Sequence, residues 1–171
     1  TGMAQAAAAS PTGMAAVLGG VEQDVRQAID EAALVAANSN GAGQIVAAGP
    51  LEAIEAFAAN PPARTRVIPL KVAGAFHTQA MAPAVEPLAA FAAELTVNDP
   101  AYELLSNRDG ERISTGREFV DSLVSQVTSP VRWDRCMSTL MAAEVDSIIE
   151  VAPAGTLVGL AKRAMRGVPS A

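Results

Sequence analysis

Leu34-Val35-Ala36-Ala37-Asn38-Ser39-Asn40-Gly41-Ala42-Gly43-Gln44-Ile45-Val46-Ala47-Ala48 sets two short apolar runs, residues 34–37 and 44–48, on either side of six residues that favour turns. Asn, Ser and Gly tolerate positive φ, so the segment predicts a hairpin. Upstream of it, Met14 to Leu18 is an apolar run stopped by Gly19-Gly20. Val21, Val25, Ala28, Ile29 and Ala32 then recur at helical spacing, with Glu22, Asp24, Arg26 and Asp30 on the opposite face. Downstream, Leu51, Ile54, Phe57 and Ala58 mark a second amphipathic helix ending at Asn60-Pro61-Pro62, and residues 64–72 read as an extended basic and apolar strand. The predicted order over residues 12–72 is βαββαβ.

Two βαβ-like halves of this kind resemble the ferredoxin-like split unit, an antiparallel sheet with two helices on one face. Before it, the alanine-rich residues 1–10 lack an N-cap and predict the end of a helix. After it, Ala73 to Thr78 is a loop, and Val85, Leu88, Ala92 and Leu95 mark a helix. A strand over 102–106 and a turn at Arg108-Asp109-Gly110 follow. Thr115 and Glu118 form a capping box for a helix carrying Val120, Leu123, Val124 and Val127. Ser129 as N-cap and Pro130 as first residue open a helix with Val131, Met137, Leu140 and Met141. A buried strand over 147–151, a turn, and a helix over 156–166 stopped by Gly167 complete the chain. Helix and strand alternate here as in the back half of a parallel α/β layer. The fold class is therefore α/β, with residues 1–11 and 73–171 flanking a small domain at 12–72.

Composition removes several functions. Of 171 residues, 12 are Lys or Arg and 18 Asp or Glu, a net charge of −6, which argues against nucleic acid as partner. Half the residues are apolar and only 4% aromatic, so the core is built from small aliphatic side chains. One cysteine, Cys136, excludes a disulfide framework, and a single histidine, His77, leaves no Cys/His set for a metal. No apolar run nears the roughly 20 residues of a membrane helix, and no signal-peptide pattern opens the chain. The expectation is a cytoplasmic protein with no membrane partner.

Histidine is the side chain type that titrates near neutrality, and His77 lies in a Gly/Ala loop leading into a helix, where catalytic bases often sit. A surface or structural histidine is the alternative. No G-x-S-x-G elbow accompanies it, and Cys136 falls on an apolar helix turn, the setting of an inert packed thiol. Asn38 and Asn40 either serve turn geometry or point amides at a polar ligand. Lys162, Arg163 and Arg166 complement a helix dipole or form a docking patch for an acidic partner.

Five phrases in order carry a resemblance: Pro11-Thr12-Gly13-Met14; Asn38 to Gly49; Val72-Ala73-Gly74-Ala75-Phe76-His77-Thr78; Ser125-Gln126 with Ser129-Pro130-Val131-Arg132-Trp133; and Glu150-Val151 with Gly155-Thr156-Leu157 and Gly159-Leu160. Together they resemble the malonyl-CoA:acyl carrier protein transacylases of bacterial type II fatty acid synthesis, in an actinobacterial flavour. The resemblance implies the C-terminal part of an α/β-hydrolase-like large domain with an inserted ferredoxin-like small domain. It implies His77 as base and acid, and Gln126 as the residue whose backbone carbonyl holds the other imidazole nitrogen, so that a side-chain change there is mild. It also implies Asn38 and Asn40 as cleft residues, and Phe76 as the residue that excludes methylmalonyl groups. Malonyl-CoA and acyl carrier protein are the implied partners, the latter steered by Lys162, Arg163 and Arg166; no cofactor is implied beyond the carrier's own phosphopantetheine. The nucleophilic serine elbow, the oxyanion-hole segment and a carboxylate-binding arginine belong upstream of Thr1 in this family, which implies a chain inactive by itself. A serine hydrolase or thioesterase of the same fold, and a non-catalytic ferredoxin-like binding module, are the competing readings.

Overall fold

The computed structural model describes residues 2–171, so the reading of Thr1 as part of the leading helix falls outside it. α1 (Gly2–Ala9) leads into β1 (Thr12–Gly19), α2 (Glu22–Glu31), β2 (Val35–Gly41), β3 (Gln44–Pro50), α3 (Leu51–Ala59) and β4 (Thr65–Pro69). The observed order is the expected βαββαβ. Its strands form one antiparallel sheet in the order β2-β3-β1-β4, with Ala15 opposite Ala47 on one side and Pro69 on the other.

Pleating sorts the sheet residues into two faces. Ala15, Val17, Ile45 and Ala47 pack with Val25 and Ile29 of α2 and Ile54 and Phe57 of α3 in one core cluster. Burying each of the four helix residues stabilises the fold by about 1.5–3 kcal/mol. Met14, Val46 and Ala48 face the other way, into a cluster with Ala37 and Ala75. Between β1 and α2 the chain reverses at Gly19 and Gly20, with φ of 87° and 75°; a Cβ on Gly20 would lie 2.6 Å from Thr65 Cγ2.

The hairpin is tighter than the six-residue turn expected. β2 continues through the asparagines to Gly41, leaving Ala42 and Gly43, both at positive φ, as the connection. The asparagine backbone is drawn into strand geometry by pairing with β3 and with Val131.

Beyond the sheet, a short 3-10 segment, Gln79–Ala84, runs into α4 (Val85–Ala93), followed by β5 (Leu104–Leu105), β6 (Arg112–Ile113), α5 (Gly116–Gln126), α6 (Trp133–Ala142) and α7 (Thr156–Ala164). Thr115 Oγ1 caps α5 by accepting the Glu118 N–H at 3.1 Å, while the Glu118 carboxylate reaches back to the Ser114 N–H at 3.0 Å. α6 begins later than Ser129-Pro130 predicts. Val131 instead gives its N–H to Ala37 O and accepts the Ser39 N–H, each at 2.8 Å, and a residue bonded so to a strand is not in helical pairing.

Two expected strands are reduced. Of 102–106 only Leu104 and Leu105 pair, with β6, and Tyr102 is 89% exposed. Over 147–151 only Ile148 bridges, to Ser170, while Ile149 and Val151 are 77% and 84% exposed rather than buried. The parallel layer expected over 73–171 is thus not formed among the described residues, whose parallel pairings are the isolated bridges Asn38 to Val131 and Ile148 to Ser170. An apolar run becomes a strand only where other backbone meets it, and here only the chain's last residues do.

α7 is closed at its start by Glu150, whose carboxylate accepts the N–H groups of Gly155 (2.7 Å), Leu157 and Val158 (both 3.0 Å). Bonds from Val158, Leu157 and Gly155 hold its carboxyl below the ordinary glutamate value of 4.5. A depressed folded-state pKa adds stability above the unfolded-state value, lost as pH falls through the folded one. In an NMR pH titration the Gly155, Leu157 and Val158 amide protons are expected to shift together with a midpoint below 4.5, and Glu150→Gln to abolish that shared transition.

Candidate active site

Ala75 is fully buried on the face of the sheet opposite α2 and α3, and it seats the loop Gly74-Ala75-Phe76-His77-Thr78 there. Its N–H donates to Thr12 Oγ1 at 3.0 Å, tying the loop to the first residue of β1. The Thr78 hydroxyl donates to Ala75 O at 2.7 Å and accepts the Ala80 N–H at 3.2 Å. Between these anchors His77 adopts φ 61°, the left-handed region, at a cost of order 1–3 kcal/mol for a residue with a Cβ. Such a conformation persists only where its surroundings over-determine it.

The half-buried imidazole meets the C-terminal end of α5, with Nδ1 2.9 Å from Gln126 O. A carbonyl oxygen can only accept, so Nδ1 carries the hydrogen in this bond and the neutral ring keeps Nε2 as its basic nitrogen. Gln126 also works through its side chain. Its Nε2 donates to Ser129 O at 2.7 Å and Pro130 O at 3.0 Å, closing the turn that follows its own carbonyl. These side-chain bonds stand beside the expected backbone contact of Gln126 O with the imidazole.

His77 lines a cleft of about 440 Å³. Met14, Asn38, Asn40 and Val46 of the sheet form one wall, Thr156, Leu157 and Leu160 of α7 another, and Phe76, Asn107, Val131 and Trp133 complete it with Leu70. One imidazole with its Nε2 free among the described residues, three amides and apolar walls give the cleft groups able to move a proton, orient polar atoms and bury aliphatic ones.

Of the residues singled out from sequence, Asn38, Asn40, Phe76 and His77 share this cleft, and Gln126 backs the imidazole. Lys162, Arg163 and Arg166 are exposed and stand outside its lining, and Arg163 Nη2 donates to Gln44 Oε1 at 2.9 Å, joining α7 to the start of β3. Trp133, Asn107 and Leu160 were not anticipated as cleft residues. Trp133 and Leu160 sit inside phrases already noted, whereas Asn107 looks like any residue of a turn.

Cys136 is buried, its thiol donating to Ser106 O at 3.3 Å, and burial pushes it up to about 11, so it is no thiolate nucleophile at neutral pH. Beside it Arg132 and Asp134 pair at 2.7 Å; burial pushes the Asp134 carboxyl up, but the Arg132 hydrogen bonds and charge, the Arg135 N–H and the Arg26 charge together leave it below the ordinary value. Among the described residues there is no cluster of metal-ligating side chains and no helix long and apolar enough to cross a membrane.

Residues 2–171 match the family described as acyl transferase domain. The malonyl CoA-acyl carrier protein transacylase of Mycobacterium tuberculosis is 55% identical over 168 residues, covering 98% of this chain and 56% of that protein. The crystal structure of MCAT from the same organism superposes with a TM-score of 0.95 at 54% identity, over 99% of this chain and 56% of that one. A malonyl-transacylase solved in complex with a type II PKS acyl-carrier protein gives 0.86 at 27% identity, over 98% and 56%. The chain spans about half the length of the curated relatives it matches.

Gln126→Ala removes two side-chain bonds and is expected to lower the unfolding free energy by about 1–2 kcal/mol. Urea denaturation checks this, and a midpoint equal to the parent's would show the amide to be idle.

Proposed function

The chain belongs to the acyl transferase domain family, and on that premise we propose that it supplies the proton-transfer half of a malonyl-CoA:acyl carrier protein transacylase. The single observation that carries the reading is the Nδ1 contact of His77 to a main-chain carbonyl, with the imidazole lining a cleft of mixed apolar and amide character. In this reading residues 12–72 are an inserted ferredoxin-like small domain, and residues 1–11 and 73–171 belong to an α/β-hydrolase-like large domain. The strand order β2-β3-β1-β4 supports the first assignment.

A serine outside the residues of this chain attacks the malonyl thioester carbonyl, and His77 Nε2 takes its proton as the oxygen–carbon bond forms. The carbon–sulfur bond then breaks and the imidazolium returns the proton to the departing coenzyme A sulfur. In the second half the carrier's phosphopantetheine thiol gives its proton to Nε2, attacks the malonyl ester, and the serine oxygen leaves with that proton. No cofactor is called for. Gln126 O holds Nδ1–H throughout, orienting the ring without a carboxylate. Asn38 and Asn40 orient the polar groups of the substrate.

Phe76 packs against the cluster of Met14, Ala37, Val46, Ala48 and Ala75 and lines the cleft beside His77, where its rigid ring leaves little room for an α-methyl group; overpacking of that kind costs about 1–3 kcal/mol. The carrier protein is acidic in this family, so Lys162 and Arg166 steer it, with Arg163 divided between that role and Gln44. The relative solved with its acyl-carrier protein supports a carrier as partner, and a cytoplasmic setting fits these substrates.

A chimera tests the reading: this chain replaces the matching 56% of the Mycobacterium tuberculosis relative, and malonyl transfer to carrier protein is assayed. Transfer is expected, and His77→Ala should lower kcat about a thousandfold or more. A folded chimera without transfer, or one indifferent to His77→Ala, overturns the proposal. In the same chimera Phe76→Ser should cut the preference for malonyl over methylmalonyl about tenfold; an unchanged rate ratio would sink the steric argument.

A further inference from the structure

Plain alternation fails at two points along β2, between Ala36 and Asn38 and between Ser39 and Gly41, and the first of these sets the face that Asn38 and Ser39 present. Ala36 pairs with Ala47 and packs on the α2 and α3 side, whereas Asn38 pairs with Val46 on the cleft side, so one extra residue, Ala37, is accommodated between them. Ala37 itself lies in the cleft-side cluster with Met14 and Val46. Ala37 and Asn38 therefore face the same way, and this bulge turns Asn38 into the cleft and Ser39 out of it, while Asn40, the extra residue of the second irregularity, also lines the cleft. Val131 takes up Ala37 O and the Ser39 N–H. On the far face Ser39 is buried, and its Oγ accepts from Arg26 Nη2 at 2.7 Å, a guanidinium held in turn by Glu22 at 2.8 Å.

We propose that Arg26, on the face of the sheet away from the cleft, is a positioning residue: through Ser39 it locks the bulged register of β2 that presents Asn38 and Asn40 to the acyl thioester. This rests on the reading of the cleft as the malonyl-CoA site. A one-residue slip would turn the Asn38 amide toward the α2 and α3 face and carry Ser39 away from its donor. The Arg26 to Ser39 bond is satisfied only in the native register, and hydrogen bonds to charged groups are the stronger kind. Arg26 is absent from the cleft lining and makes no hydrogen bond to the His77 loop, so its loss should appear in substrate affinity.

Two arms on the full chain test this. In the first, amide exchange by NMR is compared among the parent, Arg26→Ala, Ser39→Ala and Arg26→Lys. Exchange at Ser39 and Val131 is expected to rise about tenfold in the two alanine variants, with most protection recovered in Arg26→Lys and the β1–β3 ladder unchanged. In the second, malonyl-CoA is titrated against the fluorescence of Trp133, the single tryptophan and a cleft residue, and Kd is expected to rise about tenfold in the alanine variants. Parent-like exchange in both alanine variants overturns the proposal, as does exchange raised throughout the sheet, or an unchanged Kd where exchange has risen. A parent that does not bind malonyl-CoA refutes the reading of the cleft, and the exchange arm alone then decides the register.

Discussion

The hydrogen bond between His77 Nδ1 and the carbonyl of Gln126 is the contact to which the rest of this structure is subordinate. Its net worth in stability is about 0.5–1.5 kcal/mol, yet it selects which ring nitrogen is basic. Both partners are set from outside themselves. The imidazole depends on a loop stitched to Thr12 and closed by Thr78, and the carbonyl depends on the end of α5, a turn tied by the Gln126 amide, and Val131 bonded into β2. The sheet thus reaches the histidine by two routes, one through each hydrogen-bonded partner. A main-chain acceptor also has no side chain to rotate away and no charge to lose on protonation.

Alanine explains how these parts approach so closely. Ala15, Ala37, Ala47, Ala48 and Ala75 are all wholly buried, and together they thin the sheet and the loop that lies on it. Phe76 and Met14 supply bulk where the cleft needs a wall. A chain with 4% aromatic residues places the few it has with effect: one beside His77, and its only tryptophan at the start of α6, lining the cleft.

The sheet was legible in the sequence because its signals are local: helical spacing in Val25 and Ile29, paired apolar runs around a Gly-rich turn, and prolines that end α3. His77 stood out as the only residue of its type, in a loop. What could not be read depends on pairing between distant segments. Val131 looks like the first turn of a helix until β2 is laid beside it, and Ile149 looks like a buried strand residue although little backbone meets it. The bulge at Ala37 has no signature in Ala36-Ala37-Asn38, since alanine suits either face. The side-chain role of Gln126 likewise emerges only once the turn beyond α5 is closed.

The pairing of Val131 with β2 also settles how the sheet ends. Open strand edges invite addition of further strands, and an alanine-rich sheet has few bulky side chains to keep a second copy away. Here the outer edge of β2 has spent its Ala37 carbonyl and Ser39 amide on Val131. The opposite edge is β4, only five residues long, with Arg66 exposed on it and Pro69, which has no N–H to offer, at its end. The same hydrogen bonds that shape the cleft therefore also cover part of the sheet's outer edge, so edge protection and site geometry share one structural cause.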